Sequence, residues 1–180
     1  VTALFDLALA LAATQPLELE QHSKAKRGYA LYHPLLAKPR KASAVRLHAA
    51  MNAGDAFREI VASALEQVQS NARGVLESAD AEYLHQMRVG LRRLRSALDL
   101  FSDPLGDSLA PQAASLKKLA AGLGAARDWD VLVTETLPHI GGLPRMTQLV
   151  DACERRRTLA RRDARKSIKT NGYLESMLGI

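Results

Sequence analysis

Between Leu84 and Phe101, apolar residues recur at Leu84, Met87, Leu91, Leu94, Leu98 and Phe101. Steps of three and four residues place all six on one stripe of an α-helix, and that stripe must face a core. The same stretch carries His85, Arg88, Arg92 and Arg95 at the same spacing. At about 100° per residue this second row sits roughly 110° round from the apolar stripe. The basic groups therefore flank the core face, and Arg93 points elsewhere. Arginines one turn apart repel by about 0.2–0.5 kcal/mol per exposed pair. No acid lies within the row, since Asp99 falls a turn beyond Arg95. A solvated basic edge and an anion-binding edge both fit this pattern.

The rest of the chain continues in helical periods and nowhere alternates with period two, which predicts an all-α protein with an antiparallel helix bundle. Residues 1–13 read as a short amphipathic helix, and 17–50 as an irregular basic stretch broken by Gly28, Pro34 and Pro39. Asn52 or Asp55 is expected to cap a helix that ends near Glu77, and Asp80 the next, to about Ser102. The Asp103-Pro104-Leu105-Gly106 run breaks it. A helix over about 108–122 should end at Gly122 and Gly124, with a short restart at Asp128. Pro138, Gly141, Gly142 and Pro144 form another break. A long helix covers about 145–170, and Asn171-Gly172 precedes a final turn. The domain division is 1–50 as a tail and linker, and 51–180 as the bundle.

Composition supports a core: 47% of the 180 residues are hydrophobic, only 4% aromatic, so Leu, Ala, Val and Met must fill it. The net charge is +6 and unevenly spread. Eight basic and three acidic side chains give +5 over residues 151–169; four arginines and Asp99 give +3 over 85–99. Everything else is therefore net negative. Such concentration points to an anionic partner. On the long helix Arg157, Arg161 and Arg165 flank the buried side marked by Leu149, Cys153, Ala160, Ala164 and Ile168. Arg155, Arg162, Lys166 and Lys169 fall on the far, solvated side. If this helix packed on the 85–101 helix, both arginine rows would border one groove. Lys117, Lys118 and Arg127 form a further cluster. A Gly-containing turn that starts a helix there would offer backbone N–H groups to an anion. Asp128 reads as its cap, Asp130 as a first-turn acid, and Trp129 as a core plug.

Other chemistries find little support. Cys153 is the sole cysteine, which allows no internal disulfide and fits a reducing cytoplasm. No apolar run approaches the ~20 residues of a membrane span, so no membrane partner is expected. His22, His33, His48, His85 and His139 show no convincing metal spacing, and His85 is left with three roles: ligand, anion contact or structural donor. No P-loop, carboxylate pair or activated nucleophile appears, so no catalytic residue, metal or cofactor is assigned.

Two motifs, HQMRVGLRRLRSALDLF at 85–101 and LGAARDWDVL at 123–132, resemble the CHAD family of histidine-containing α-helical domains in residue type and mutual spacing. The resemblance covers about 52–180. It implies two related four-helix bundles with basic residues around a central channel, and binding of inorganic polyphosphate. This chain is similar to the first half alone, which implies an open basic groove and self-association through apolar surface. The polyphosphate-binding residues so implied are His85, Arg88, Arg92, Arg95, Lys117, Lys118, Arg127, Arg157, Arg161 and Arg165. The stretch LFDLALALAATQPLELEQHSKAKRGYAL resembles the end of a CYTH domain leading into a CHAD domain, which would imply an upstream metal-dependent triphosphatase. Localisation is expected to be cytoplasmic, at polyphosphate bodies. Non-specific nucleic-acid binding is the remaining alternative, although no DNA or RNA motif is present.

Overall fold

The computed structural model describes residues 2–15, 17, 19–20, 22–32, 38–105, 109–140 and 146–180, and among these it contains helices and no strand. In chain order the helices are α1 (Thr2–Thr14), α2 (Lys24–Tyr32), α3 (Ala53–Glu77), α4 (Ala81–Leu100), the single turn α5 (Ser102–Leu105), α6 (Ala110–Val131), α7 (Met146–Ile168) and α8 (Asn171–Leu178). The expected breaks at Gly106 and at 141–144 lie outside the described residues.

The caps of α3 and α4 fall where side-chain chemistry places them. Asn52 Oδ1 accepts from the Asp55 N–H at 2.9 Å, and Asn52 Nδ2 donates to Asp55 Oδ2 at 2.8 Å. Asp80 Oδ1 accepts from the Glu82 N–H at 2.8 Å. Each bond satisfies an N–H that the helix leaves unpaired. α3, α4, α6 and α7 form the bundle, with neighbours in the order α3–α4–α6–α7 and back to α3. Residues 67 and 86 with 63 and 93, 122 and 167 with 130 and 157, and 75 and 165 with 79 and 161 meet in opposite chain order across three of these seams, so each of those helix pairs runs antiparallel. It follows that α4 and α6 are antiparallel too, and that α4 and α7 lie on the diagonal. The core between them is aliphatic: Met87, Leu91, Leu94, Leu116 and Leu123 are fully buried. Gly90 lets α3 and α4 approach closely, since a Cβ there would sit 2.7 Å from Val68 Cγ2 and 3.2 Å from the Ala64 carbonyl.

Three sequence expectations change. First, α6 runs unbroken through Gly122 and Gly124 to Val131. Two glycines cost a helix about 1 kcal/mol each relative to alanine. Burial of Leu116, Leu119, Leu123 and Ala126 outweighs that cost. Gly122 serves close packing instead, and Gly124 lies beside Arg88 at contact distance. A Cβ on Gly122 would lie 2.9 Å from Ser167 Oγ of α7, and one on Gly124 would lie 3.4 Å from an Arg88 guanidinium nitrogen of α4. Hence no helix restarts at Asp128, no N-terminal anion cradle forms there, and Asp128 is exposed rather than a cap. Trp129 is half-buried and not a core plug. Second, α6 passes directly into a π-helical turn, Leu132–Thr136, and a 3-10 turn, Leu137–His139. Third, the stretch 17–50 is not wholly irregular. It contains α2, and the segment after Lys38 runs beside α3, with Ser43 Oγ 3.2 Å from Ser63 Oγ and Arg40 2.8 Å from Glu66. Buried Asn71 holds this segment at two points: its Oδ1 accepts from the Arg40 N–H at 3.0 Å and its Nδ2 donates to the Arg40 carbonyl at 2.9 Å.

Candidate functional site

Every basic residue singled out in the sequence has a definite place, and they divide into two groups. In the first are Arg157, Arg161 and Arg165 of α7. Their guanidinium groups are turned inward, onto α6 and the end of α3. Arg157 Nε and Arg161 Nε donate to Asp130 Oδ1 at 2.7 and 2.8 Å, and Arg161 Nη2 donates to Asp130 Oδ2 at 3.1 Å. Arg161 also donates to the Ala79 carbonyl. Arg165 donates to the carbonyls of Val75 and Ser78, both at 3.0 Å. Those acceptors belong to the C-terminal end of α3 and its exit, where a helix leaves carbonyls unpaired and favours cations. Asp130 is fully buried. Burial works against the charge on Arg157, but Asp130 and Glu154 outweigh it and raise its pKa above the usual arginine value.

Asp130 was readable only as a first-turn acid if a helix began at 128. Within continuous α6 it continues the stripe Leu116, Leu119, Leu123, Ala126 at the same spacing, and so points into the bundle. A carboxylate on an apolar stripe requires cations from a facing helix. Arg157 and Arg161, one turn apart on the inner flank of α7, supply them.

The second group lines the seam between α4 and α6. Arg88 Nη1 donates to the Ala120 carbonyl at 3.0 Å, lying against the α6 backbone beside Gly124. Because the helices are antiparallel, Arg92 and Arg95 fall level with earlier residues of α6, and His85 with later ones. Lys117 is about 20° round the helix from Gly124, on the same side, whereas Lys118 is a further ~100° round. Lys117 thus joins the α4 row and Lys118 faces away from it. Arg92, Lys117 and Lys118 are exposed, while His85 and Arg95 are half-buried. None of these five makes a side-chain hydrogen bond or ion pair among the described residues. Arg127 continues the α6 edge towards His85, and its Nη2 meets Glu135 Oε1 at 3.0 Å. Arg93 lies on the opposite side of α4, donating to Gln67 Oε1 at 2.8 Å and Ser63 Oγ at 3.1 Å of α3.

The two arginine rows therefore do not share a groove. α6 separates α4 from α7, and the α7 row is occupied by Asp130 and by main-chain carbonyls. The chemistry left over is an edge of cations spaced along one seam, of which His85, Arg92, Arg95 and Lys117 make no side-chain bond among the described residues while Arg88 and Arg127 are bonded. Among the described residues no group of three or more His, Cys, Asp or Glu side chains could hold a metal ion, and no helix is long and apolar enough to cross a membrane.

A basic seam on an antiparallel helical bundle, with the 85–101 and 123–132 motifs meeting across it, defines a class of helical domain. The chain belongs to the CHAD domain family, which matches over residues 59–179. It is similar to the crystal structure of the CHAD domain from the plant Ricinus communis, at 38% sequence identity and a TM-score of 0.71. The match covers 78% of this chain and 48% of that one, so the chain spans about half the length of its solved relative. Among curated proteins nothing matches it.

Proposed function

We propose that the chain binds a linear polyanion, inorganic polyphosphate, along the α4–α6 seam, through His85, Arg88, Arg92, Arg95, Lys117 and Arg127. The observation that carries this reading is that, among the described residues, half-buried His85 and Arg95 have no side-chain partner while the other half-buried cations of the bundle are bonded, and exposed Arg92 and Lys117 extend the same row without an acid beside them. A regularly spaced row of donors suits a regularly charged polymer, which offers phosphate oxygens and no base edges to read. The bonds from Arg157, Arg161 and Arg165 to Asp130 and to carbonyls support reading that row as one that holds the bundle together.

The test contrasts two neighbours of equal charge. Arg92→Ala removes a free donor on the seam; Arg93→Ala removes one already bonded to Ser63 and Gln67. Titration with a defined long-chain polyphosphate is expected to show a loss of about 1.5–3 kcal/mol for Arg92→Ala, as for a charge-assisted contact. Arg93→Ala should change the affinity little. The slope of affinity against salt should also become shallower for Arg92→Ala alone, because fewer counterions are released. Equal losses from both variants would mean general attraction by a basic surface. Preference for DNA over polyphosphate of equal charge, measured by competition, would favour the nucleic-acid reading.

α2 favours a further element of the proposal. Tyr29, Leu31 and Tyr32 are largely exposed, so this helix buries little against the bundle. That suits the reading of residues 1–36 as the end of a CYTH triphosphatase domain in a longer protein.

A further inference from the structure

The upper end of the seam carries a carboxylate that the polyanion must displace. Arg127 and Glu135 are eight residues apart, a distance of about 12 Å along a regular α-helix. They meet across the π-helical turn Leu132–Thr136 that continues α6, and Glu135 lies within that turn. Thr134 Oγ1 donates to the Asp130 carbonyl at 2.8 Å, and the imidazole Nδ1 of His139 contacts the Glu135 carbonyl, so both sides of the turn are held. π-Helical turns are rare and concentrate at functional positions. The Glu135 side chain is 57% exposed, whereas that of Arg127 is only 19% exposed. The carboxylate is the more solvent-exposed partner of the pair, so it can leave the arginine and be rehydrated at once.

We infer that Glu135 is a built-in counter-ion for Arg127, a specificity-determining residue that only a polyanion already anchored on the α4 row displaces. The inference rests on the proposed use of the α4–α6 seam. A short anion gains one contact at Arg127 and must break an ion pair to make it. A long chain held by Arg88, Arg92 and Arg95 presents its next phosphates to Arg127 at high effective concentration, so the exchange becomes favourable. The carboxylate thus discriminates against small phosphates more than against long ones. Asp99, one turn past Arg95, marks the opposite end of the row with a second exposed carboxylate.

Glu135→Gln is the deciding variant. It keeps the length of the side chain and removes the charge, at an exposed position. Titration with long-chain sodium polyphosphate and with tripolyphosphate is expected to show about two- to fivefold tighter binding of the long chain. The relative gain for tripolyphosphate should be larger still. Arg127→Ala should weaken long-chain binding more in the Glu135→Gln background than in the native protein, a coupling read by the double-mutant cycle. Asp163→Asn is the control, since it removes the same charge from an exposed carboxylate beside Lys166 on the outer face of α7. Equal gains from Glu135→Gln and Asp163→Asn, or no gain from Glu135→Gln, would overturn the inference. So would an Arg127→Ala effect that is the same in both backgrounds. If Arg92→Ala itself leaves polyphosphate affinity unchanged, the seam as a whole is wrong, an outcome distinct from failure at Glu135 alone.

Discussion

Asp130→Ala is expected to destabilise the bundle by about 3–5 kcal/mol, the cost of removing one partner from a buried charge cluster. Asp130 accepts three N–H bonds from two arginines at 2.7–3.1 Å and has no contact with solvent. Without it, Arg157 and Arg161 remain one turn apart on α7, each more than four-fifths buried, with like charges facing the same void. Among the described residues Arg157 then keeps Glu154, at 3.3 Å, and Arg161 keeps the Ala79 carbonyl. Asp130→Asn should fall between native and Ala, because the amide retains one acceptor oxygen and loses the charge. Urea unfolding followed by circular dichroism measures both. A loss below about 1 kcal/mol for Asp130→Ala would mean that the two arginines swing into water at little cost, and the assignment of the α7 row to structure would fall. Arg162→Ala, on the exposed face of the same helix, should lie within about 0.5 kcal/mol of native.

The fold was legible where the apolar period was long. The stripe from Leu84 to Phe101 predicted both the existence and the buried face of α4. Asn52 and Asp80 marked two helix starts because few other residues accept from the free N–H groups there. The sequence misled at Gly122 and Gly124. Glycine breaks helices when its only contribution is backbone freedom. Here Gly122 stands where Ser167 of α7 comes too close for a side chain and Gly124 lies within contact distance of Arg88 of α4, neighbours 36 or more residues away in the chain. The wrong break then displaced Asp128 and Asp130 from their true environments in one step, since both were read from a helix start that does not exist. The π-helical turn had no signal at all, because Leu132–Thr136 contains nothing that distinguishes it from the end of an ordinary helix.

At the candidate site, the direction of the α4 row was readable and its surroundings were not. Angular position alone separated Arg88, Arg92 and Arg95 from Arg93, and the structure places Arg93 over α3 as that angle requires. Whether a flanking arginine is free or bonded depends on what the adjacent helix presents. α6 presents Gly124 and the Ala120 carbonyl to Arg88; the end of α3 presents three carbonyls to Arg161 and Arg165. The same residue type, recurring about once per turn on both helices, thus comes to different uses. The charge sum of the long helix counted Arg157 and Arg161 as available although Asp130 binds both, an acid contributed from 27 and 31 residues earlier in the chain.

Leu91→Ala is expected to cost about 2–5 kcal/mol, since Leu91 has no exposed surface and lies among Leu94, Leu116 and Leu123, a core with little room to collapse. Leu100→Ala on the same helix, at a residue 73% exposed, should cost little. The value of the pair lies in what polyphosphate does to it. A ligand that binds only the folded state stabilises it by about 2.7 kcal/mol at a hundredfold excess over the dissociation constant. Polyphosphate should therefore return most of the urea midpoint lost by Leu91→Ala, although it touches no apolar residue. In the double variant Leu91→Ala with Arg92→Ala the same polyphosphate concentration should return less, by about 1.4 kcal/mol for each tenfold loss of affinity. Arg93→Ala in place of Arg92→Ala should leave the recovery intact while lowering the starting stability, because its bonds to Ser63 and Gln67 belong to the fold. Equal recovery in the Arg92 and Arg93 double variants would place the polyanion somewhere other than the α4–α6 seam. No recovery in Leu91→Ala itself would show that polyphosphate does not bind the folded bundle.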